Sequence, residues 1–237
     1  MAPSLVASYY VTSAGVSTGT LTTSSFTPSN GEVIIVKAGT WDSAITMGTP
    51  TGGSQTYTSR AAATSGGFRP WVGIWSAVIS GSPGSMTISS TPSANSWHNM
   101  VVERWSSAQL AATPVTATLD GGTGAASTSL TTSAANSVIS WVAGDAQSLD
   151  PATRAYQASA ATTEEAVDDG HVGANGVWYY ARTTVATATS QAFGLTAPTG
   201  MQWWIAGIEV LDNSGGPAFV APPPLVIGQA VNRSNTY

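Results

Sequence analysis

The chain has 237 residues and a net charge of −5, and 8% of its residues are charged, against roughly 25% in an ordinary soluble domain. Its seven Lys and Arg are scattered singly, so nothing supplies the basic stripe that binding to phosphates needs, and nucleic-acid recognition is excluded. The absence of Cys excludes disulfides and thiolate metal sites.

The length fits one large domain. Ser, Thr, Ala and Gly fill the spaces between apolar runs. Hydroxyl-bearing and β-branched residues suit pleated strands and turns better than helices, and nine Trp, seven Tyr and four Phe supply side chains for a core. The expected class is all-β, a jelly-roll-like two-sheet antiparallel sandwich with an extended C-terminal tail.

In chain order, strand candidates are Ser4–Val11, Gly19–Thr27, Val33–Gly39, Gln55–Arg60, Pro70–Ile79, Ser85–Ser90, Ser96–Ser106, Ser127–Thr132, Ser137–Gly144, Val177–Val185, Ser190–Thr196 and Met201–Leu211. Gly, Pro, Asn and Ser clusters separate them. Gly19–Thr27 is nearly all hydroxyl and reads as exposed. Val33–Val36, Val138–Val142 and the last candidate are apolar on both alternating faces. In the last, Met201, Trp203, Ile205 and Leu211 share one face while Trp204, Ala206, Ile208 and Val210 share the other. Such strands are expected at the centre of sheets covered on both sides.

The character changes after Leu211. Asp212–Pro217 reads as a linker and Pro222-Pro223-Pro224 as a stiff spacer. The expected division is a sandwich domain over residues 1–212 and a linker with a docking peptide over 213–237. Leu225, Val226, Ile227, Gly228 and Gln229 form a short apolar peptide suited to adding as a strand to a neighbouring subunit.

Nothing in the sequence assembles a catalytic constellation. His98 and His171 lie in different segments. Glu103 and Glu209 are the strand acids to weigh for glycoside hydrolysis, which needs two carboxylates across a cleft. Each stands alone in its strand, so the expectation is no enzyme, no metal and no cofactor. Glu103 and its neighbour Arg104 point to opposite faces and need partners elsewhere. The acidic run Glu164, Glu165, Asp168, Asp169, with Gly170 and His171, does not follow the calcium-loop pattern and reads as a solvated loop. Trp71 with Trp75, Trp97 with Trp105, and Trp178-Tyr179-Tyr180 read chiefly as core. A sugar-stacking subset is the alternative, with its residues unassigned.

Four segments carry a family resemblance: Trp97-His98-Asn99-Met100-Val101-Val102-Glu103-Arg104-Trp105, Asn136-Ser137-Val138-Ile139-Ser140-Trp141-Val142, Asp150-Pro151-Ala152-Thr153-Arg154-Ala155-Tyr156 and Leu195-Thr196-Ala197-Pro198-Thr199-Gly200. Within Glu32 to Leu211 the chain resembles a β-sandwich family of virion or minor tail proteins from phages of actinobacteria. Ile227-Gly228-Gln229-Ala230 is similar to a segment that follows such domains in longer tail proteins. Those proteins continue with an acidic Thr-rich stretch and further domains, whereas this sequence stops at Tyr237, which favours a small accessory subunit. The resemblance implies a structural protein of the bacteriophage virion, a capsid decoration or minor tail protein, made in the host cytoplasm. Its implied partners are other virion proteins in a homotrimer or another symmetric assembly, without nucleic acid or membrane insertion. The alternative is a carbohydrate-binding module for attachment to a host surface glycan. The resemblance assigns no catalytic residue.

Overall fold

A computed structural model describes residues 2–42, 44–64, 70–145, 151–168 and 176–213. The strands are β1 (Ser4–Thr12), β2 (Leu21–Thr22), β3 (Val33–Thr40), β4 (Thr58–Ala63), β5 (Trp71–Val78), β6 (Ser89–Ser90), β7 (His98–Ser106), β8 (Ala108–Gln109), β9 (Thr116–Gly124), β10 (Ser127–Thr131), β11 (Ser137–Asp145), β12 (Ala155–Tyr156), β13 (Thr162–Asp168), β14 (Val177–Val185), β15 (Ser190–Ala197) and β16 (Met201–Asp212). A single 3-10 turn, Pro151–Thr153, is the one helical element among the described residues. The chain is thus the expected all-β antiparallel sandwich. Residues 214–237, including Leu225–Gln229, lie outside the described residues.

Two large sheets face each other. The first has the order β1-β7-β3-β5-β4, and the second β13-β14-β11-β16, with β9 and β8 both flanking β16. Between them lies an inner core of Val33, Ile35, Val72, Ile74, Val101 and Trp105 against Val138, Trp178, Tyr180, Trp204, Ile208 and Val210. Each sheet has a second apolar face. The outer face of the first sheet buries Ile34, Val36, Trp71, Trp75 and Met100 beneath a layer carrying Leu21, Phe26, Met47, Met86 and Ile88. That of the second buries Ile139, Trp141, Tyr179 and Ile205 beneath the small sheet β10-β15-β12, which contributes Leu130, Phe193 and Leu195. The molecule has four layers and three cores. This is why β3, β11 and β16 are apolar on both faces: water reaches neither side.

The two halves of the chain share one topology. Reading β9, β16, β11, β14, β13 against β1, β7, β3, β5, β4 gives the same strand order in the same sequence positions. The register agrees as well. Val36 pairs with Val102 and Trp75, while Trp141 pairs with Gly207 and Ala181. β4 shifts register between Ser59 and Ala61, and β13 does so at the corresponding point, between Glu164 and Ala166. The outer layers also correspond, for β2 pairs β6 and β10 pairs β15. Met47↔Pro92 and Thr51↔Ser89 bridges stand where β12 pairs β15. Gly31 and Asn136, which precede the central strands, both have positive φ. In each half the first, eighth, third, sixth and fifth strand segments make the large sheet and the second, seventh and fourth the small one, which is jelly-roll connectivity with the fifth segment moved to the large sheet. Sequence reading expects one jelly-roll-like sandwich; the described body holds two such units packed through their large sheets.

Candidate functional site

The densest group of ionisable side chains sits in the inner core. β3 supplies Lys37, the single lysine of the chain; β7 supplies Glu103 and Trp105, β11 Ser140, β13 Glu165 and β14 Arg182. Lys37 Nζ donates to Glu103 Oε1 at 2.5 Å, to Glu165 Oε2 at 2.7 Å and to the Ala181 carbonyl at 3.3 Å. Trp105 Nε1 and Ser140 Oγ donate to Glu103 Oε2 at 2.9 and 2.7 Å. Arg182 Nη1 donates to Glu165 Oε1 at 2.7 Å. The side chains of Lys37 and Glu103 are 0% exposed, and that of Glu165 is 1% exposed.

Local geometry explains how an acid from an edge strand reaches the interior. Glu165 is the extra residue of the β13 bulge, and a bulge re-aims a side chain out of the normal alternation. The equivalent extra residue in β4 is Arg60, whose Nε donates to Ser76 Oγ at 2.7 Å. Ser76 of β5 corresponds to Arg182 of β14, so the same contact is built from different chemistry in each half.

Burial and the Glu165 charge push Glu103 up to about 8, against the opposing pull of Lys37. Burial also pushes Glu165 up, but Lys37 and hydrogen bonds from Glu103 and Arg182 outweigh it and hold Glu165 at about 2. Burial alone would lower Lys37; Glu103 and Glu165 outweigh it and raise it. One carboxyl keeps its proton and the other stays ionised, as two acids sharing a site do. Chemically this is a satisfied ion cluster. Both carboxyls are closed off between the sheets among the described residues.

A second polar node lies beside it. Asn99 Nδ2 and Thr12 Oγ1 both donate to Asp168 Oδ2 at 2.8 Å, and the Tyr180 hydroxyl donates to Asn99 Oδ1. This corrects the expectation of a solvated acidic loop. Glu165 and Asp168 are buried in β13, while Glu164 forms a surface pair with Arg154, Nε to Oε2 at 2.5 Å. Asp169, Gly170 and His171 lie outside the described residues.

Glu103 and Glu209 do not come together. Glu209 faces the outer core, where the Ser133 hydroxyl and backbone N–H donate to it at 2.7 and 2.9 Å. Arg104 takes Glu32 as its partner, Nε to Oε2 at 3.0 Å, with its guanidinium over the Phe26 ring. Both adjacent residues thus find the separate partners that opposite faces require. Each ring nitrogen of His98 meets a backbone carbonyl, Ser96 at 2.9 Å and Gly19 at 2.8 Å. His98 lines an open pocket of about 320 Å3 whose other walls are mainly Ser and Thr of residues 12–22.

The tryptophans are structural. Trp71, Trp75, Trp105, Trp141, Trp178, Trp203 and Trp204 are buried, and Trp41 and Trp97 pack against the inner core. Trp41 and Trp97 are half-buried, and none of the nine indoles is fully exposed. Sequence reasoning missed Lys37 and placed Glu165 in a solvated loop. The available signal for Lys37 was a lone cation inside Val33–Gly39, a run that is otherwise wholly apolar or small; for Glu165 there was none, because its inward aim depends on the bulge. Comparison with protein-family models, curated proteins and solved structures returns no match.

Proposed function

We propose that this chain is a non-enzymatic structural protein of a bacteriophage particle, a capsid decoration or minor tail subunit that docks through its C-terminal peptide. The observation that supports a structural role is the use made of the acids: the paired carboxylates Glu103 and Glu165 join the two halves and are sealed from solvent, where catalysis needs a substrate between them. The phage assignment rests on the resemblance of residues 97–105, 136–142, 150–156 and 195–200. A rigid body whose cores need no disulfide suits a subunit that assembles inside a cell and persists outside it. The Pro-stiffened peptide beyond Asn213 gives such a body a tether, and symmetric copies multiply each weak contact.

The test is deletion of residues 214–237. The truncated chain should keep the circular dichroism and melting temperature of the parent and be missing from purified particles. A truncated chain that still enters particles at the parental copy number overturns the docking role. Cryo-electron microscopy of the same particles then separates capsid lattice from tail.

A further inference from the structure

We propose that the cluster Lys37–Glu103–Glu165–Arg182 is a pairing code: it makes the large sheet of the first half accept the second half and reject the same sheet of another copy of the chain. This goes beyond the structural role proposed above and does not depend on the phage assignment.

The need for such a code follows from the duplicated topology. Each half presents an apolar large sheet with the same strand order and register. Two chains could therefore pair first half with first half and second half with second half, closing a dimer through isologous contacts. Apolar surfaces discriminate weakly between near-equivalent partners; discrimination comes from placing unpaired charge in the wrong complex.

The members of the cluster have unlike counterparts in the other half. Register places Val142 at the position equivalent to Lys37, Ile208 at that of Glu103, Ile35 at that of Ser140, and Arg60 at that of Glu165. If two first halves paired, Lys37 would meet Arg60 of the other copy instead of Glu165, so an ion pair would become two cations facing each other. Glu103 would lose the Ser140 hydroxyl and face an isoleucine. If two second halves paired, Glu165 would face Val142 and Ile208 in place of Lys37 and Glu103. Each self-pairing breaks the Lys37–Glu165 ion pair and leaves Lys37 with Glu103 alone and Glu165 with Arg182 alone, and breaking a buried pair costs more than a satisfied pair contributes. The native pairing is the one arrangement in which Lys37 and Glu165 satisfy each other.

The test uses the full-length chain unfolded in urea and refolded at high concentration, with mass read by light scattering after size exclusion. Three proteins are compared: the parent, Lys37→Val/Glu103→Ile/Glu165→Ala, and Glu165→Gln. An exchange of halves that keeps the native pairing is open to the parent as well, so the excess dimer in a variant over the parent measures self-pairing. The triple variant should give about tenfold more dimer than the parent, and Glu165→Gln, which keeps the shape and removes the charge, a smaller increase in the same direction. If the triple variant does not fold, Glu165→Gln decides. A folded variant that returns to monomer as completely as the parent overturns the pairing code.

Discussion

At the scale of single residues, two features make claims that simple variants can test. Glu103 is the first. Because burial raises its folded value to about 8, the unfolded chain releases this proton from about pH 4.5 upward while the folded chain keeps it. The unfolded state therefore binds fewer protons between about pH 4.5 and 8, and this group makes stability fall as pH rises through that window. Glu165, held at about 2, acts oppositely and below it: its contribution is present above about pH 4.5 and is lost as pH falls toward 2. Urea midpoints of the parent should drop from pH 5 to pH 8, and Glu103→Gln should flatten that slope. A slope unchanged in Glu103→Gln would place its origin in another group. The second feature is Gly39, where the Trp178 indole of the opposite sheet occupies the space that a Cβ would need. A Cβ on its counterpart Gly144 would lie 3.1 Å from Trp178 and 3.0 Å from Pro70. Gly39→Ala should cost about 1–3 kcal/mol by forcing the indole out of its packing, and Gly144→Ala less, in parallel urea titrations.

At the scale of elements, four edge strands of the large sheets, β1, β4, β13 and β9, share a device. β1 shifts register between Leu5 and Ala7, β4 between Ser59 and Ala61, β13 between Glu164 and Ala166, and β9 opposite Trp203 and Trp204. A bulge twists an edge away from further pairing and so protects a sheet from uncontrolled addition of strands. Central strands bonded on both sides open only with the whole sheet, whereas bulged edges open locally. Hydrogen exchange should therefore be slowest in β3, β7, β11 and β16 and faster by orders of magnitude in β1, β4, β9 and β13. Equal protection of edge and centre would show that the edges are covered. The central strands were also the ones legible in sequence, because Val33–Val36 and Val138–Val142 are apolar on both faces. The edges were not. β13 reads as an acidic loop because Thr162-Thr163-Glu164-Glu165 offers no alternation, and Glu165 becomes a core residue only through the bulge. β9 ends in Gly121-Gly122-Thr123-Gly124, a turn composition by any local rule, yet it pairs along β16 from Met201 to Ile208. β4 was placed three residues early, because Ala61-Ala62-Ala63 carries no strand signal and pairing with β5 alone makes it one. The duplication was hidden too: equivalent positions keep their burial and change their residues, as Lys37 and Val142 do.

At the scale of the whole molecule, the question is whether two topologically equal halves behave as one folding unit. Each half has its own outer core, which would let it fold alone, but the inner core belongs to neither. Separating the halves would expose Val33, Ile35, Val72, Ile74, Val101 and Trp105 on one side and Trp178, Tyr180, Trp204, Ile208 and Val210 on the other, all at most 2% exposed in the native chain. Burying one such side chain fully is worth about 1.5–3 kcal/mol, so the shared layer exceeds the roughly 5–15 kcal/mol net stability of a typical domain. A half that lost its partner would also lose the Lys37–Glu165 ion pair. Unfolding should therefore be a single cooperative event, with calorimetric and van't Hoff enthalpies that agree and with tryptophan fluorescence and far-ultraviolet dichroism giving coincident curves. Two resolved transitions would mean that each outer core suffices to hold its own half, and that the inner core is an interface between two domains instead of the centre of one.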